Sequence, residues 1–425
     1  MPPTHRSPRP DAGLFGSPAT SRQEDLCAAL VDAQGARGYL TAFRRRVASG
    51  DLGSLPVVVG LVVIWLVFWS QQPRFLSAVN LSNLALQMTA TGLISVGIVL
   101  VLLLGEVDLS VGSVSGVTAA ILATQIAKHG QTQVLALLIA LAAGAIVGSL
   151  QGLVFARLGV PSFVVTLAGL IGWQGLQLAV LNPDGTVTLP AGPVENLTST
   201  YYGAPIGFPL VAVVVAGYAG LQALEVHRRR VAGLRPRPLI EVIGRLALVA
   251  VALLAVVVVL DRYRGLPLAL VIFLGVVVLF DVVIRRTTYG RHILAVGGNI
   301  EAARRAGIAV AGIRVSVFAL AGLMAAAGGI MGASRLQDVN QSSGGSDILL
   351  NAIAAAVIGG TSLFGGRGSA FSALLGILVI ASISNGMDLI GLDSSTKFMV
   401  TGAVLLAAVT IDALGRRGRS ATGRG

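Results

Sequence analysis

The chain has 425 residues, of which 54% are hydrophobic and only 12% charged, and its formal net charge is +12. A soluble domain has about 25% charged residues, so a soluble fold of this length could not bury so much apolar sequence. The apolar runs are continuous, without the period-two alternation of a membrane β-barrel. The composition therefore predicts an all-α fold, a polytopic helical membrane protein.

Residues 1–54 are polar and rich in Pro and Arg, and they contain no apolar core of the length that a signal peptide needs. We expect this segment to be a cytoplasmic, disordered N-terminal tail, with a short amphipathic helix near "QEDLCAALVDA". Residues 55–414 are predicted to form the transmembrane domain. Residues 415–425 are predicted to form a basic cytoplasmic C-terminal tail.

Apolar runs of 16–26 residues predict about 10–12 transmembrane helices. The runs lie at residues 55–70, 79–104, 109–127, 132–156, 163–182, 205–224, 243–260, 266–284, 313–333, 347–364, 370–390 and 396–412. Several of them are short or interrupted by glycine, so one or two are expected to be re-entrant segments.

The basic residues indicate the orientation. With the N-terminus inside and the runs alternating, the inner segments carry 23 Lys and Arg and the outer segments carry 5. The positive-inside rule then predicts that both termini are cytoplasmic. Because these arginines would lie next to anionic lipid, they explain the basic charge without a nucleic-acid partner.

Two carboxylates interrupt the apolar sequence in "LLLGEVDLSVGSVSG", residues 102–116. An acidic residue near the middle of a bilayer costs about 2.5–3.5 kcal/mol, so Glu106 and Asp108 need a reason to be there. An Asp followed by Ser favours an N-cap of a broken helix. A second interpretation gives Asp108, Ser110 and Ser113 to a translocation path or gate. A proton relay is the third, although it needs a chain of ionisable groups that the spans lack.

A similar stretch, "GGTSLFGGRGSAF" at residues 359–371, joins two later apolar runs. Paired segments interrupted by glycine are typical of a repeat around a central site. Its matching polar set would be Thr361, Ser362, Arg367 and Ser369, although Arg367 also fits a positive-inside anchor.

The cytoplasmic connection at residues 285–312 contains a turn signal, Gly297-Gly298-Asn299, and then a short helical stretch from Ile300 to Arg305. Asn299 is a favourable N-cap, and Gly307 is a favourable residue after the helix end. We predict a short surface helix, which is either an ordinary capped loop helix or a docking element for a partner.

Several motifs resemble a known family. "EAARRAG" at 301–307 has the form that begins the cytoplasmic coupling loop of bacterial ABC importer permeases, although the Ile-x-Leu-Pro of that pattern is absent. "GGNIEAARRAGI", "AIAAAVIGGTSLFGGRGS" and "GEVDLSVGS" are similar to signatures of the monosaccharide permease family, the ribose, xylose, arabinose and galactoside group. "NGMDLIGLDSSTKFMVTGAVLLAAVTIDAL" at 385–414 resembles its xylose-type branch. The resemblance covers about residues 55–414.

This resemblance implies a permease subunit of an ATP-driven sugar importer, for xylose or a related pentose, in the bacterial inner membrane. It implies three protein partners: a cytoplasmic ABC ATPase, an extracytoplasmic sugar-binding protein and a second permease copy in a homodimer. The residues expected to couple to the ATPase are Glu301, Ala302, Ala303 and Gly307. No cofactor is expected in this chain, because neither Lys128 nor Lys397 lies in a P-loop, and a separate subunit would bind ATP.

A pentose is neutral and rich in hydroxyls, so its path needs uncharged polar side chains. Gln174 and Asn351 are candidates, although most polar residues in membrane helices pair with neighbours. The alternative is a secondary carrier or channel for a small polar solute that acts without an ATPase. An enzyme is not expected, because one cysteine and four dispersed histidines suggest neither a nucleophile–base pair nor a metal site.

Overall fold

The computed structural model of the protein describes residues 55–233 and 239–421, so the predicted tail at 1–54 lies outside the described residues. This part is mostly helical, which confirms the all-α class. Its helices are α1 (Leu55–Gln71), α2 (Ala78–Leu103), α3 (Val111–Ala127), α4 (Gln133–Leu158), α5 (Ser162–Leu181), α6 (Pro193–Ser199), α7 (Ala204–Val231), α8 (Leu239–Asp261), α9 (Leu268–Arg286), α10 (Thr288–Gly298), α11 (Ile300–Arg305), α12 (Val310–Leu336), α13 (Ser346–Ile358), α14 (Ala370–Leu389) and α15 (Ser394–Ala421).

Each of the twelve predicted apolar runs contains a helix of the structure. Among the described residues, eight helices are long and apolar enough to cross a membrane, namely α2, α4, α5, α7, α8, α9, α12 and α14. The helices α3 and α13 have only 17 and 13 residues. At about 1.5 Å per residue they fall short of a hydrocarbon core about 30 Å thick. Helix α1 also has 17 residues, but none of them is buried, whereas α3 and α13 are short helices inside the bundle.

Two helix ends differ from the prediction. The run predicted at 347–364 ends as a helix at Ile358, because the glycine-rich loop that follows takes left-handed backbone conformations at Gly360, Gly365 and Gly366. The last helix, α15, continues to Ala421 and so extends into the predicted C-terminal tail.

The centre of the bundle is α12, which packs against α2, α3 and α4. Glycines allow its backbone to approach α4 closely. A Cβ on Gly144 would lie 2.5 Å from the carbonyl oxygen of Gly322, and a Cβ on Gly322 would lie 2.1 Å from that of Gly144. Without a hydrophobic force between helices in lipid, such close backbone packing holds a membrane bundle together.

The connections of the bundle group into two sets. We call the first the arginine-rich face, comprising residues 104–110, 159–161, 287–309 and 359–369, and the second the hairpin face, comprising residues 128–132, 182–203, 262–267 and 337–345. Residues of the first set approach one another closely: a Cβ on Gly365 would lie 2.6 Å from Gly297 O, and a Cβ on Gly105 would lie 3.2 Å from Phe364 O. On the hairpin face two small antiparallel pairs form, β1 (Thr186–Thr188) with β4 (Asp338–Asn340), and β2 (Tyr201–Tyr202) with β3 (Leu266–Pro267).

The long connection between α5 and α7 is ordered by contacts at both of its ends. Lys128 Nζ lies 2.8 Å from Asp184 Oδ2, and Gln337 Nε2 donates to Glu195 Oε1 over 2.8 Å. Together with the strand pairs, these contacts give the hairpin face a defined surface.

Candidate functional site

The segment before α3 is organised by Asp108, which is buried. Its Oδ1 accepts hydrogen bonds from Ser110 N at 2.8 Å and from Ser110 Oγ at 2.6 Å. The residue at the N-cap position of α3 is Ser110, which makes no side-chain capping bond. The prediction that Asp108 is the N-cap of α3 was therefore wrong. Its carboxylate accepts from the backbone N–H two residues later, which stabilises an Asx turn just before the helix begins.

Two further side chains complete a polar cluster formed by Asp108, Ser110, Gln151 and Trp173, since a Cβ on Gly169 would lie 2.2 Å from Gln151 Nε2 and 3.0 Å from Trp173 Nε1. Ser110 Oγ lies 3.0 Å from Gln151 Oε1. Gln151 Nε2 and Trp173 Nε1 are buried and have no hydrogen-bond partner among the described residues. Within the same part of the chain, no donor reaches the second carboxylate oxygen of Asp108. The cluster thus has unused donors and an unused acceptor in a largely apolar surrounding.

The two short helices begin beside each other. A Cβ on Gly112, in the first turn of α3, would lie 2.9 Å from the carbonyl oxygen of Gly344, which precedes α13. Gln177 Nε2 holds the same extended segment by donating to Ser343 O at 2.8 Å and to Asn340 O at 3.0 Å. Discontinuous helices that begin together inside a bundle are the usual setting of a transporter's central site.

At the arginine-rich face, three segments meet in what we call the glycine joint, formed by Leu103, Gly105, Gly297 and Gly366. A Cβ on Gly297 would lie 1.8 Å from Leu103 O and 2.8 Å from Gly366 N. A Cβ on Gly105 would lie 3.2 Å from the carbonyl oxygen of Phe364. The end of α2, the loop at 359–369 and helix α10 are therefore in direct backbone contact.

Helix α10 was missed by the sequence analysis, which expected a turn at 297–299 and a single helix in the connection. The apolar residues Tyr289, Ile293 and Val296 recur at the spacing of one helix face, which is a signal that could have found it. Ile293 and Val296 are buried. Tyr289 Oη lies 2.8 Å from Ser316 Oγ, and burial raises the pKa of the Tyr289 phenol. These contacts attach α10 to the bundle.

The short helix predicted after it is present as α11 with the expected bounds. Asn299 is its N-cap and accepts from Ala302 N at 2.9 Å. Gly307 has a φ of +80°, which favours glycine. Ala303 is buried against the bundle, whereas Ala302 and Glu301 are exposed. Of the predicted coupling residues, Ala303 packs α11 against the bundle, while Glu301 and Ala302 lie on its exposed side.

The second carboxylate, Glu106, forms an ion pair with Arg314 at the start of α12. The two side chains are 3.1 Å apart and only 15% and 18% exposed. Glu106 Oε2 also accepts from Ser162 Oγ at 2.7 Å, and the Arg314 guanidinium lies 4.4 Å from the centre of the Phe155 ring. This pair links the segment before α3 to α4, α5 and α12.

The remaining candidates are scattered. Ser113 Oγ donates to Ser110 O over 2.9 Å, so it is engaged within its own helix turn. Gln174 is exposed on α5, and Asn351 is half-buried on α13. Thr361 is buried, and its Oγ1 has no hydrogen-bond partner among the residues that the structure describes, while Ser362 Oγ accepts from Phe364 N at 3.2 Å.

The structure therefore brings Asp108, Ser110 and Ser113 together, and it places the other four path candidates elsewhere. The sequence also offered Trp173 as a polar candidate for the sugar path, but it did not select Gln151, although an amide in the otherwise apolar α4 is a visible signal. Among the described residues there is no group of three or more His, Cys, Asp or Glu that could hold a metal ion.

A bundle with eight helices of membrane-spanning length and two short helices meeting inside it defines a polytopic transport protein. Residues 80–409 match the family described as the permease component of branched-chain amino acid transport systems, and this chain belongs to that family. It is therefore a multi-pass inner-membrane subunit of a transport system and not an enzyme.

Curated relatives cover most of the chain. It is 36% identical to the xylose transport system permease protein XylH of Escherichia coli over 85% of this chain and 92% of that protein. It is 35% identical to XylH of Haemophilus influenzae over 80% and 90% of the two chains. The ribose import permease protein RbsC of Bacillus subtilis is 30% identical over 85% and 94%. No solved structure matches this chain.

Proposed function

We propose that this chain is the permease subunit of an ATP-driven sugar importer for xylose or a related pentose. Membership of the permease family and 36% identity to a xylose permease support the substrate class. The complete transporter would contain two permease copies, a cytoplasmic ATPase that binds ATP, and an extracytoplasmic sugar-binding protein. The permease domain would span residues 55–414.

The observation that carries this proposal is the glycine joint. An exposed helix, α11, continues directly from α10, whose Gly297 contacts both Leu103 and Gly366. An ATPase that binds Glu301 and Ala302 would move α10 against the end of α2 and the loop at 359–369. The first of these segments leads to α3 and the second follows α13, so the movement would reach both short helices.

We propose that the arginine-rich face is cytoplasmic and that both termini lie on that side. With the N-terminus on that side, the inner segments carry 23 Lys and Arg and the outer segments carry 5, which supports this orientation. The hairpin face would then bind the sugar-binding protein, and its strand pairs and ordered connection give that protein a fixed surface.

We further propose that the polar cluster contacts the sugar as it passes. A sugar presents hydroxyls that both donate and accept, and the cluster has two unused N–H donors and an unused carboxylate oxygen. A proton relay is disfavoured, because the nearest acidic residue, Glu106, is held in an ion pair with Arg314.

An Asp108→Asn variant distinguishes a sugar-contacting role of Asp108 from a structural role only. The amide oxygen of Asn retains the bond from Ser110 N, but an NH₂ group replaces the unused carboxylate oxygen. We expect ATP-driven uptake to fall about tenfold, since a hydrogen bond to a charged group is worth about 1.5–3 kcal/mol. Uptake of radiolabelled pentose into proteoliposomes with the complete transporter would measure this. Uptake at the wild-type rate would leave Asp108 with a structural role only.

A Glu301→Arg variant tests the coupling contact. The tagged chain would be purified from its native membrane in mild detergent and the accompanying proteins identified. We expect a stoichiometric ATPase with the wild type and its loss from the variant, because the substitution reverses a charge on the exposed side of α11. Arg304→Gln is the matched control, since it removes the same exposed 2.9 Å ion pair without adding a positive charge.

The same purification tests the alternative function, a secondary carrier or channel that acts without an ATPase. A chain that purifies alone and moves sugar across liposomes without ATP would replace the importer by a secondary carrier or channel.

A further inference from the structure

A cavity of about 320 Å³ lies between the last turns of α7 and the first turns of α8. Its wall is largely apolar and includes Ala223, Val242 and Leu246. The amide of Gln222 also lines it, but its Nε2 is engaged with Tyr218 Oη at 2.8 Å. The volume lies at the lower end of the range for small-molecule pockets. A ligand for this wall must therefore present an apolar portion.

The end of the cavity that lies beside the helix termini is cationic. His227 and Arg230 line it. The two acidic side chains of these turns are already paired, Glu225 with Arg229 at 3.4 Å and Glu241 with Arg245 at 2.5 Å. Arg230 makes no ion pair with the described part of the chain.

The cavity lies between two helices that face lipid, and this position disfavours most water-soluble ligands. The helices α7 and α8 are the least buried of the long helices, so they present their apolar side chains to lipid. A site that is apolar between two lipid-facing helices and cationic at their water-facing ends matches a phospholipid with an anionic headgroup. A sugar would leave the apolar wall unfilled, and an inorganic anion would use the cationic end alone.

We propose that this cavity binds one anionic phospholipid per chain, with an acyl chain between α7 and α8 and the phosphate at Arg230 and His227. The lipid would fill a gap between two helices that bury little surface against each other. It would thereby hold the pair in a fixed position on the bundle.

The test uses the full chain purified in detergent and stripped of lipid. Native mass spectrometry would count the lipids retained when phosphatidylglycerol or phosphatidylcholine is added, with inorganic phosphate as a competitor. We expect one tightly bound phosphatidylglycerol, weak binding of phosphatidylcholine and no competition by phosphate. Arg230→Gln should weaken the binding of phosphatidylglycerol about tenfold, while Arg286→Gln, which removes a charge from the last turn of α9 and outside the cavity, should not.

A second variant tests the apolar part independently of charge. Ala223→Trp fills the cavity and keeps every basic residue, so it should also weaken the binding of phosphatidylglycerol. Equal retention of the two lipids, displacement by phosphate, or equal losses from Arg230→Gln and Arg286→Gln would overturn the proposal. Unchanged binding by Ala223→Trp would do so too, since it would place the lipid on the surface.

Discussion

Gly297→Ala is expected to abolish most ATP-driven uptake while leaving the ATPase bound. The added Cβ would lie 1.8 Å from Leu103 O, a backbone atom that cannot rotate away. Either α10 or the end of α2 must therefore move. Overpacking of this kind costs about 1–3 kcal/mol, and 1.4 kcal/mol corresponds to about a tenfold change in rate. We expect uptake to fall at least about tenfold, measured with radiolabelled pentose in proteoliposomes.

The neighbouring glycine supplies the matched control. No atom lies within 4 Å of a Cβ added to Gly298, so Gly298→Ala should transport at nearly the wild-type rate. Co-purification of the ATPase with both variants would show that α11 still binds its partner. Equal uptake by the two variants would contradict the transmission of movement through the glycine joint.

Glu106→Gln is expected to destabilise the protein by about 2–3 kcal/mol, somewhat less than the 3–5 kcal/mol found for fully buried pairs. The amide retains a hydrogen-bonding group for Ser162 but leaves the Arg314 charge unpaired at a site that is 18% exposed. Thermal unfolding of the purified chain in detergent would measure the loss. The exposed pair of Glu301 and Arg304 is the control, because Glu301→Gln should change stability by no more than about 1 kcal/mol.

A double-mutant cycle isolates the pair itself. Glu106→Gln combined with Arg314→Met removes both charges, and it should be less destabilising than the sum of the single variants. Additive effects would mean that Glu106 acts through Ser162 alone.

Features that depend on local sequence were predicted well. The bounds of α11, its Asn299 cap and its exit at Gly307 follow from residues within one turn of each other. The twelve apolar runs each contain a helix because membrane-spanning length and composition are properties of a single segment.

Features that depend on distant residues were not predictable in the same way. Glu106 and Arg314 are 208 positions apart, and nothing in either local sequence indicates the other. The local sequence also does not show which of Gln174 and Gln177 faces the interior of the bundle. Both are polar residues on α5, and only tertiary packing puts Gln177 inside and Gln174 outside. Helix α10 was missed because its three glycines favour a turn when they are considered without the contacts that Gly290 and Gly297 make with the bundle.

The chain from β4 to the loop at 359–369 connects the two surfaces of the protein through α13. At one end, β4 pairs with β1 in the connection that we assign to the sugar-binding protein. At the other end, the loop after α13 lies in the glycine joint beside α10. Because α13 is connected to both surfaces, a displacement at either surface would change its position. Docking of the sugar-binding protein on one surface and closure of the ATPase on the other would then act on the same helix. The transporter could thereby require a sugar-loaded binding protein outside before it uses ATP inside.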